Sequence, residues 1–265
     1  LDCVEAEFIG ARTHHSARVA YLCVKLGQAC GLPADELLHL AAAAVLHDNA
    51  LTEYVSMQQC SKDFDGKRLE LRQSKPGALR PHCRMGERNV SILPFYKNIK
   101  DAVYYHHENA DGSGAFGKKA GETPLFAQWI HFADQLDNRF PIDSVDEDKY
   151  QKIRQFAERN AGHLFAPALV QTFLKVFTGP IGTLLQGDKV RFLLREMLPA
   201  VSFEYDETGM EALAAVFAQI IDYKSHFTCM HSRGIARKAH VLGAFLGETP
   251  AKCTRLYIAG ALHDI

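Results

Sequence analysis

His15-Ser16-Ala17-Arg18-Val19-Ala20 opens a run in which Val19, Ala20, Leu22, Cys23, Leu26 and Ala29 recur at the steps of one helix face. Gly31 follows as a C-terminal stop. Pro33 then suits a first helical turn, and Asp35 and Glu36 favour the positive end of the helix dipole. The helix so begun runs through Leu37, Leu38 and a row of alanines to His47-Asp48. Adjacent imidazole and carboxylate groups at the end of an apolar helix cannot both face a core unaided. A buried carboxylate needs a paired charge or a metal.

Helical signals dominate outward from this stretch. After a polar connector over 56–81, the pattern predicts helix from Gly86 to Tyr105, broken by the loop Asp111-Gly112-Ser113-Gly114. Further helices are predicted over 125–136, 148–159, 167–177 and 182–198. The segment 141–149 is acidic and expected to be solvated. Val201 to Tyr205 is the only short strand candidate.

The 265 residues suit one large domain or two modest ones, and 47% hydrophobic with 23% charged residues is a globular composition. A formal net charge of -1 supplies no global field to attract DNA or an acidic membrane. No apolar run is long enough to cross a bilayer. Cys3, Cys23, Cys30, Cys60, Cys83, Cys229 and Cys253 form no CxxC pair, so reduced thiols and a cytoplasmic location are expected. Leu1 in place of a methionine points to sequence upstream.

Two further patterns carry the functional reading. His15, His47-Asp48, His82, His106-His107 and Asp134 recur at helix ends and faces, and imidazoles around a shared carboxylate are how proteins hold two divalent first-row metals. The second pattern is an internal repeat. His231-Ser232 resembles His15-Ser16, Gly247 follows at the spacing of Gly31, and His263-Asp264 at the spacing of His47-Asp48. The chain therefore reads as a first domain over 1–200 and the truncated opening of a second over 201–265.

The ordered set HxxRV, HD, H, HHExxDGSG and AD resembles the HD-GYP family of the HD-domain phosphohydrolases, from about Phe8 to Val176. The stretch from Ala161 to Pro167 also resembles the family's post-catalytic segment. The resemblance implies an all-α HD-domain helical bundle, here duplicated with the second copy only begun. It implies a centre of divalent metals, iron or manganese, held by His15, His47, Asp48 (bridging), His82, His106, His107 and Asp134. It also implies catalysis centred on His47 and Asp48, with a cyclic dinucleotide, typically cyclic di-GMP, as substrate.

The departures shape the expectation. The GYP signature reads Gly114-Ala115-Phe116, the family's lysine after HD is Leu51, and the arginine after the loop proline is Gln128. Acidic residues from Asp143 to Asp148 stand where basic residues meet substrate phosphates, and Ala11 replaces the acidic residue linked to a third metal. Two ions and weak activity are therefore expected, with Lys118, Lys119 and Arg139 as the remaining candidate phosphate ligands. Glu108 and Asp111 are candidates for orienting the histidines, or else a solvated loop pair. His14, His39, His131, His163, His226 and His240 match no ligand position, and Trp129 reads as core. Two rival readings stand beside the phosphodiesterase: a regulatory module that binds a nucleotide, a signalling protein or a second copy, and a hydrolase of another nucleotide or phosphate ester.

Overall fold

Gly31 (φ 73°) takes the left-handed turn that reverses the chain between the first two helices, α1 (His15–Ala29) and α2 (Ala34–Val45). The computed structural model describes residues 13–59, 76–222 and 231–264, and among the described residues every regular element is helical. After the HD turn come α3 (Leu51–Gln59), α4 (Arg80–Val90) and the one-turn α5 (Tyr96–Ile99). Then follow α6 (Leu125–Arg139), α7 (Glu147–Arg159), α8 (Pro167–Val176) and α9 (Lys189–Met197). The chain closes on α10 (Glu207–Asp222), α11 (His231–Phe245) and α12 (Pro250–Ala261). None is long and apolar enough to cross a membrane.

Helix α1 is buried almost throughout because α2, α6, α8 and α9 surround it. Even its polar Arg18 is 3% exposed. The guanidinium meets the buried Asp137 of α6 through two parallel bonds, Nε to Oδ1 at 2.7 Å and Nη2 to Oδ2 at 2.9 Å. The same carboxylate lies 2.7 Å from His15 Nδ1. One α6 residue thus sets both the register of α1 and the direction of its first imidazole.

Four local differences from the sequence pattern stand out. The helix expected over 86–105 stops at Val90, because Pro94 offers no amide hydrogen and restricts the residue before it. Turns take over through His107. Helix α9 starts at Lys189 rather than 182, since Gly182 and Gly187 adopt positive φ in the preceding turns. The acidic segment includes a cap: Asp146 accepts the amide of Lys149 at 2.8 Å and starts α7. Val201 to Tyr205 pairs with no strand; Phe203 instead lies against the ring of His39, with centroids 5.3 Å apart.

Close approach of α4 to the HD turn depends on Gly86. A β-carbon there would sit 2.9 Å from Val103 Cγ1 and 3.3 Å from Asn49 Nδ2. Asn49 uses that proximity, donating to the carbonyls of Leu46 and Gly86 at 2.8 and 3.1 Å. The main core extends from α1 to Val216 and Ile220 of α10, while Ala214 and Ala218 on another face of α10 pack with Ala236 and Ala261.

The Arg18–Asp137 pair yields a stability prediction. Removing one partner of a buried, doubly bonded ion pair costs about 3 kcal/mol, here with the Asp137 carboxylate left facing His15 alone. Arg18→Met is expected to lower the unfolding free energy of the metal-free protein by that amount in urea titration. A loss under about 1 kcal/mol would show that the contact does not hold α1 to α6.

Candidate metal centre

The seven residues singled out in the sequence meet at one place. Asp48, His82, His106 and His107 form one group, and His15, His47, Asp48 and Asp134 form another, each with ligand atoms within 4.8 Å of one another. Asp48 belongs to both. Its Oδ1 lies 2.9 Å from His82 Nε2 and 3.4 Å from His106 Nε2, and its Oδ2 lies 3.4 Å from His47 Nε2. Asp134 faces the other side, its Oδ1 3.2 Å from His15 Nε2 and 3.8 Å from His47 Nε2.

Local folding explains two of these directions. His47 follows the last turn of α2, where its Nδ1 reaches the carbonyl of Ala44 at 2.8 Å. The His106 Nδ1 meets the carbonyl of Val103 in the same way. An imidazole that donates from Nδ1 presents Nε2 as a bare acceptor. Nε2 of His47, His82 and His106 is buried without a hydrogen-bond partner. Converging nitrogen lone pairs and carboxylates in a buried site favour a cation between them, so this donor set fits divalent metal ions.

The electrostatics follow from the same packing. Burial raises the cost of ionising Asp134, yet the facing imidazoles of His15 and His47 outweigh it and hold the carboxyl well below its ordinary value. For Asp48 burial again opposes ionisation, and His47, His106 and His82 overcome it. His15 is pushed down by burial but pulled well above its usual value by Asp134 and Asp137. His107, with burial and the neighbouring His106 acting together, falls well below its usual value.

Several expectations are redirected. Glu108 does not orient a ligating histidine: its buried carboxylate accepts the successive amides of Phe116, Gly117 and Lys118, the latter two at 3.1 and 3.0 Å. It therefore nails the loop after DGSG against the ligand segment. Gly114 is part of that fit, because a β-carbon there would lie 2.5 Å from the amide nitrogen of Asn109. Asp111 is exposed and bonds the amide of Ser113 at 2.8 Å and His163 Nδ1 at 2.6 Å. His14 turns away in a left-handed conformation, towards Asp188 at 3.1 Å. Trp129 is core, 3% exposed. Lys118 lies over the ring of Tyr105 at 4.2 Å, Arg139 over Phe156 at 4.6 Å, and Lys119 is exposed. His226 lies outside the described residues.

Two supporting groups escaped the sequence reading. Asp137 and Asn138 follow Asp134 on α6, the first fixing His15 and the second donating to Asp134 Oδ1. A second aspartate on the same buried helix face as Asp134, opposite an HxxR pair, was the available signal. His131, one turn before Asp134, directs Nδ1 to the carbonyl of His106 at 3.1 Å. Burial pushes its pKa down to about 4. Elsewhere, His231 and His263 approach Nε2 to Nε2 at 3.2 Å, with Asp264 Oδ2 3.1 Å from His263, in an exposed group.

Comparisons with known proteins agree with this geometry. The chain is 26% identical over 263 residues to the 3'3'-cGAMP-specific phosphodiesterase 1 of Vibrio cholerae serotype O1, covering 95% of this chain and 58% of that protein. It is 25% identical over 192 residues to the 3'3'-cGAMP-specific phosphodiesterase 3 of the same organism, covering 71% of this chain and 40% of the other. The chain thus spans less than two thirds of these curated relatives. The crystal structure of a cyclic GMP-AMP-specific phosphodiesterase from V. cholerae matches with a TM-score of 0.70 at 20% identity, covering 100% of this chain and 69% of that one. That likeness speaks to the fold. The HD-domain family profile matches residues 9–158, which end before α10, so the duplication expected from the sequence gains no support from it. With more than half of its length inside that match and its helices gathered around His47-Asp48, the chain belongs to the HD-domain family.

Proposed function

We propose that this domain is a dinuclear, metal-dependent phosphodiesterase of the HD-GYP type that opens cyclic dinucleotides. The observation that carries the reading is Asp48, whose two oxygens face two different histidine groups. Imidazole and carboxylate donors suit iron, manganese or a similar first-row ion. When bound, such a pair supplies a water of lowered pKa and neutralises charge on the attacked phosphate. The protein's part is to fix the donors: Ala44 and Val103 carbonyls hold His47 and His106, and Asp137 holds His15. The names of the relatives favour a mixed guanine–adenine cyclic dinucleotide over cyclic di-GMP.

One observation favours a second reading, a nucleotide-binding regulatory module. Gln128, where the resemblance expects an arginine, spends its amide on the carbonyls of Ala120 and Thr123 at 2.9 and 2.8 Å. Arg139 is stacked on Phe156. Neither is a ready partner for a second phosphate. The sequence repeat also remains a proposal. It rests on α1 and α11, each of 15 residues, on α2 and α12, each of 12, and on the meeting of His231 with His263-Asp264.

Asp48→Ala is expected to abolish binding of both ions, measured by elemental analysis after reconstitution with Mn²⁺, while His14→Ala keeps wild-type content. Equal losses in the two variants would overturn the bridging assignment. The phosphate deficit has its own test. A charge-assisted bond contributes about 1.5–3 kcal/mol, so Leu51→Lys is expected to raise kcat/KM about tenfold or more on cyclic GMP-AMP at matched metal content. Binding of the dinucleotide without turnover by either protein would favour the regulatory module.

A further inference from the structure

Glu53 is a buried carboxylate, 4% exposed, outside the metal centre. Donors from two other helices reach it. Arg88 Nη2 of α4 reaches Oε1 at 2.6 Å, and Asn89 Nδ2 of α4 reaches Oε2 at 3.0 Å. The third donor comes from far along the chain: Gln219 Nε2 of α10 lies 3.2 Å from Glu53 Oε2 and 2.7 Å from Asn89 Oδ1. Because Arg88 Nη2 also donates to Asn89 Oδ1 at 3.1 Å, the four side chains close into one network.

Of the helices so tied, α4 carries the candidate ligand His82 and α3 follows Asp48. α3 begins directly after the HD turn, with the amide of Leu51 bonded to the carbonyl of Asp48 at 2.8 Å. Asn89 stands two helical turns after His82, on the same face of α4. A shift at Asn89 therefore carries His82 with it, and a shift of α3 pulls on the turn that holds Asp48. Helix α10 is firmly seated at this place, since Val216 and Ile220 lie in the main core. Its far end is also committed, because Asp222 accepts the amide of Ser232 at 2.8 Å and caps the start of α11.

We infer that Gln219 is a positioning residue for the metal centre, through which the C-terminal helices hold α3 and α4 at the separation that Asp48 and His82 require. The inference rests on the metal reading above. Breaking the link loosens two donors of the same group without touching a ligand. Loss of one buried hydrogen-bonding group corresponds to about fivefold in affinity.

The test uses the full chain, stripped of metal and titrated with Mn²⁺ by electron paramagnetic resonance, alongside thermal unfolding of the metal-free form. Gln219→Ala is expected to weaken Mn²⁺ binding about fivefold, and Gln219→Glu to weaken it further by setting a second carboxylate beside Glu53. Val216→Ala trims buried volume from the same helix and serves as the comparison; it is expected to lower Tm yet leave Mn²⁺ affinity near wild type. Unchanged affinity in both Gln219 variants overturns the inference. So does an equal loss in Val216→Ala at equal loss of Tm, which would show general destabilisation. Wild-type protein that binds no Mn²⁺ overturns the metal reading itself, an outcome distinct from either.

Discussion

Imidazoles and carboxylates that converge in one buried site are the constraint around which this domain is organised. Asp48 and Asp134 point at imidazole nitrogens, and in His15, His47 and His106 the other ring position is already committed to Asp137 or to a carbonyl. In a dry interior such an arrangement is unfavourable until positive charge enters it. Every element near the centre serves to hold that geometry against its own repulsion. The doubly bonded Arg18 pins Asp137, Gly86 lets α4 close on the HD turn, and Glu108 anchors the following loop through three amides.

Much of this was legible in the sequence because helix periodicity and ligand spacing are local signals. The run from His15 to Asp48 predicted two helices and their turn, and all seven residues picked as ligands meet in the fold. What failed to show depended on pairing over distance. Asp137 reads as one more charged residue on α6 until Arg18, far away in sequence, is placed opposite it. Glu108 follows two histidines and looks like their helper, but the DGSG turn folds the amides of 116–118 back onto it. The over-long helix expected after Gly86 was a different kind of miss: apolar spacing persisted across Pro94, and the missing amide hydrogen decided the break.

The eroded phosphate contacts also take a structural form. A glutamine at position 128 is not a vacant arginine site, since its amide bridges two carbonyls and so closes the turn before α6. Substituting a charged group there would remove those bonds as well as add a cation. Leu51 stands at the start of α3, directly after the HD turn, where a lysine can be added without breaking a side-chain bond of that kind. The two positions are thus unequal, although the sequence presents them as the same sort of loss.

The unit that folds is larger than the span the family profile recognises. Leu169 and Phe173 of α8, Val190 and Leu194 of α9, and Val216 and Ile220 of α10 all belong to the same buried cluster as Val19 and Leu26. The match ends at 158, so the profile records the residues that make the site and leaves out much of what encloses it. Beyond the boundary expected at 200 lies α10, with apolar residues on two faces. One face closes the main core and the other meets α11 and α12. Cutting the chain at 200 would expose Val216's and Ile220's partners around the main core to water. Helix α10 is therefore part of the packing around the helices that carry the candidate ligands.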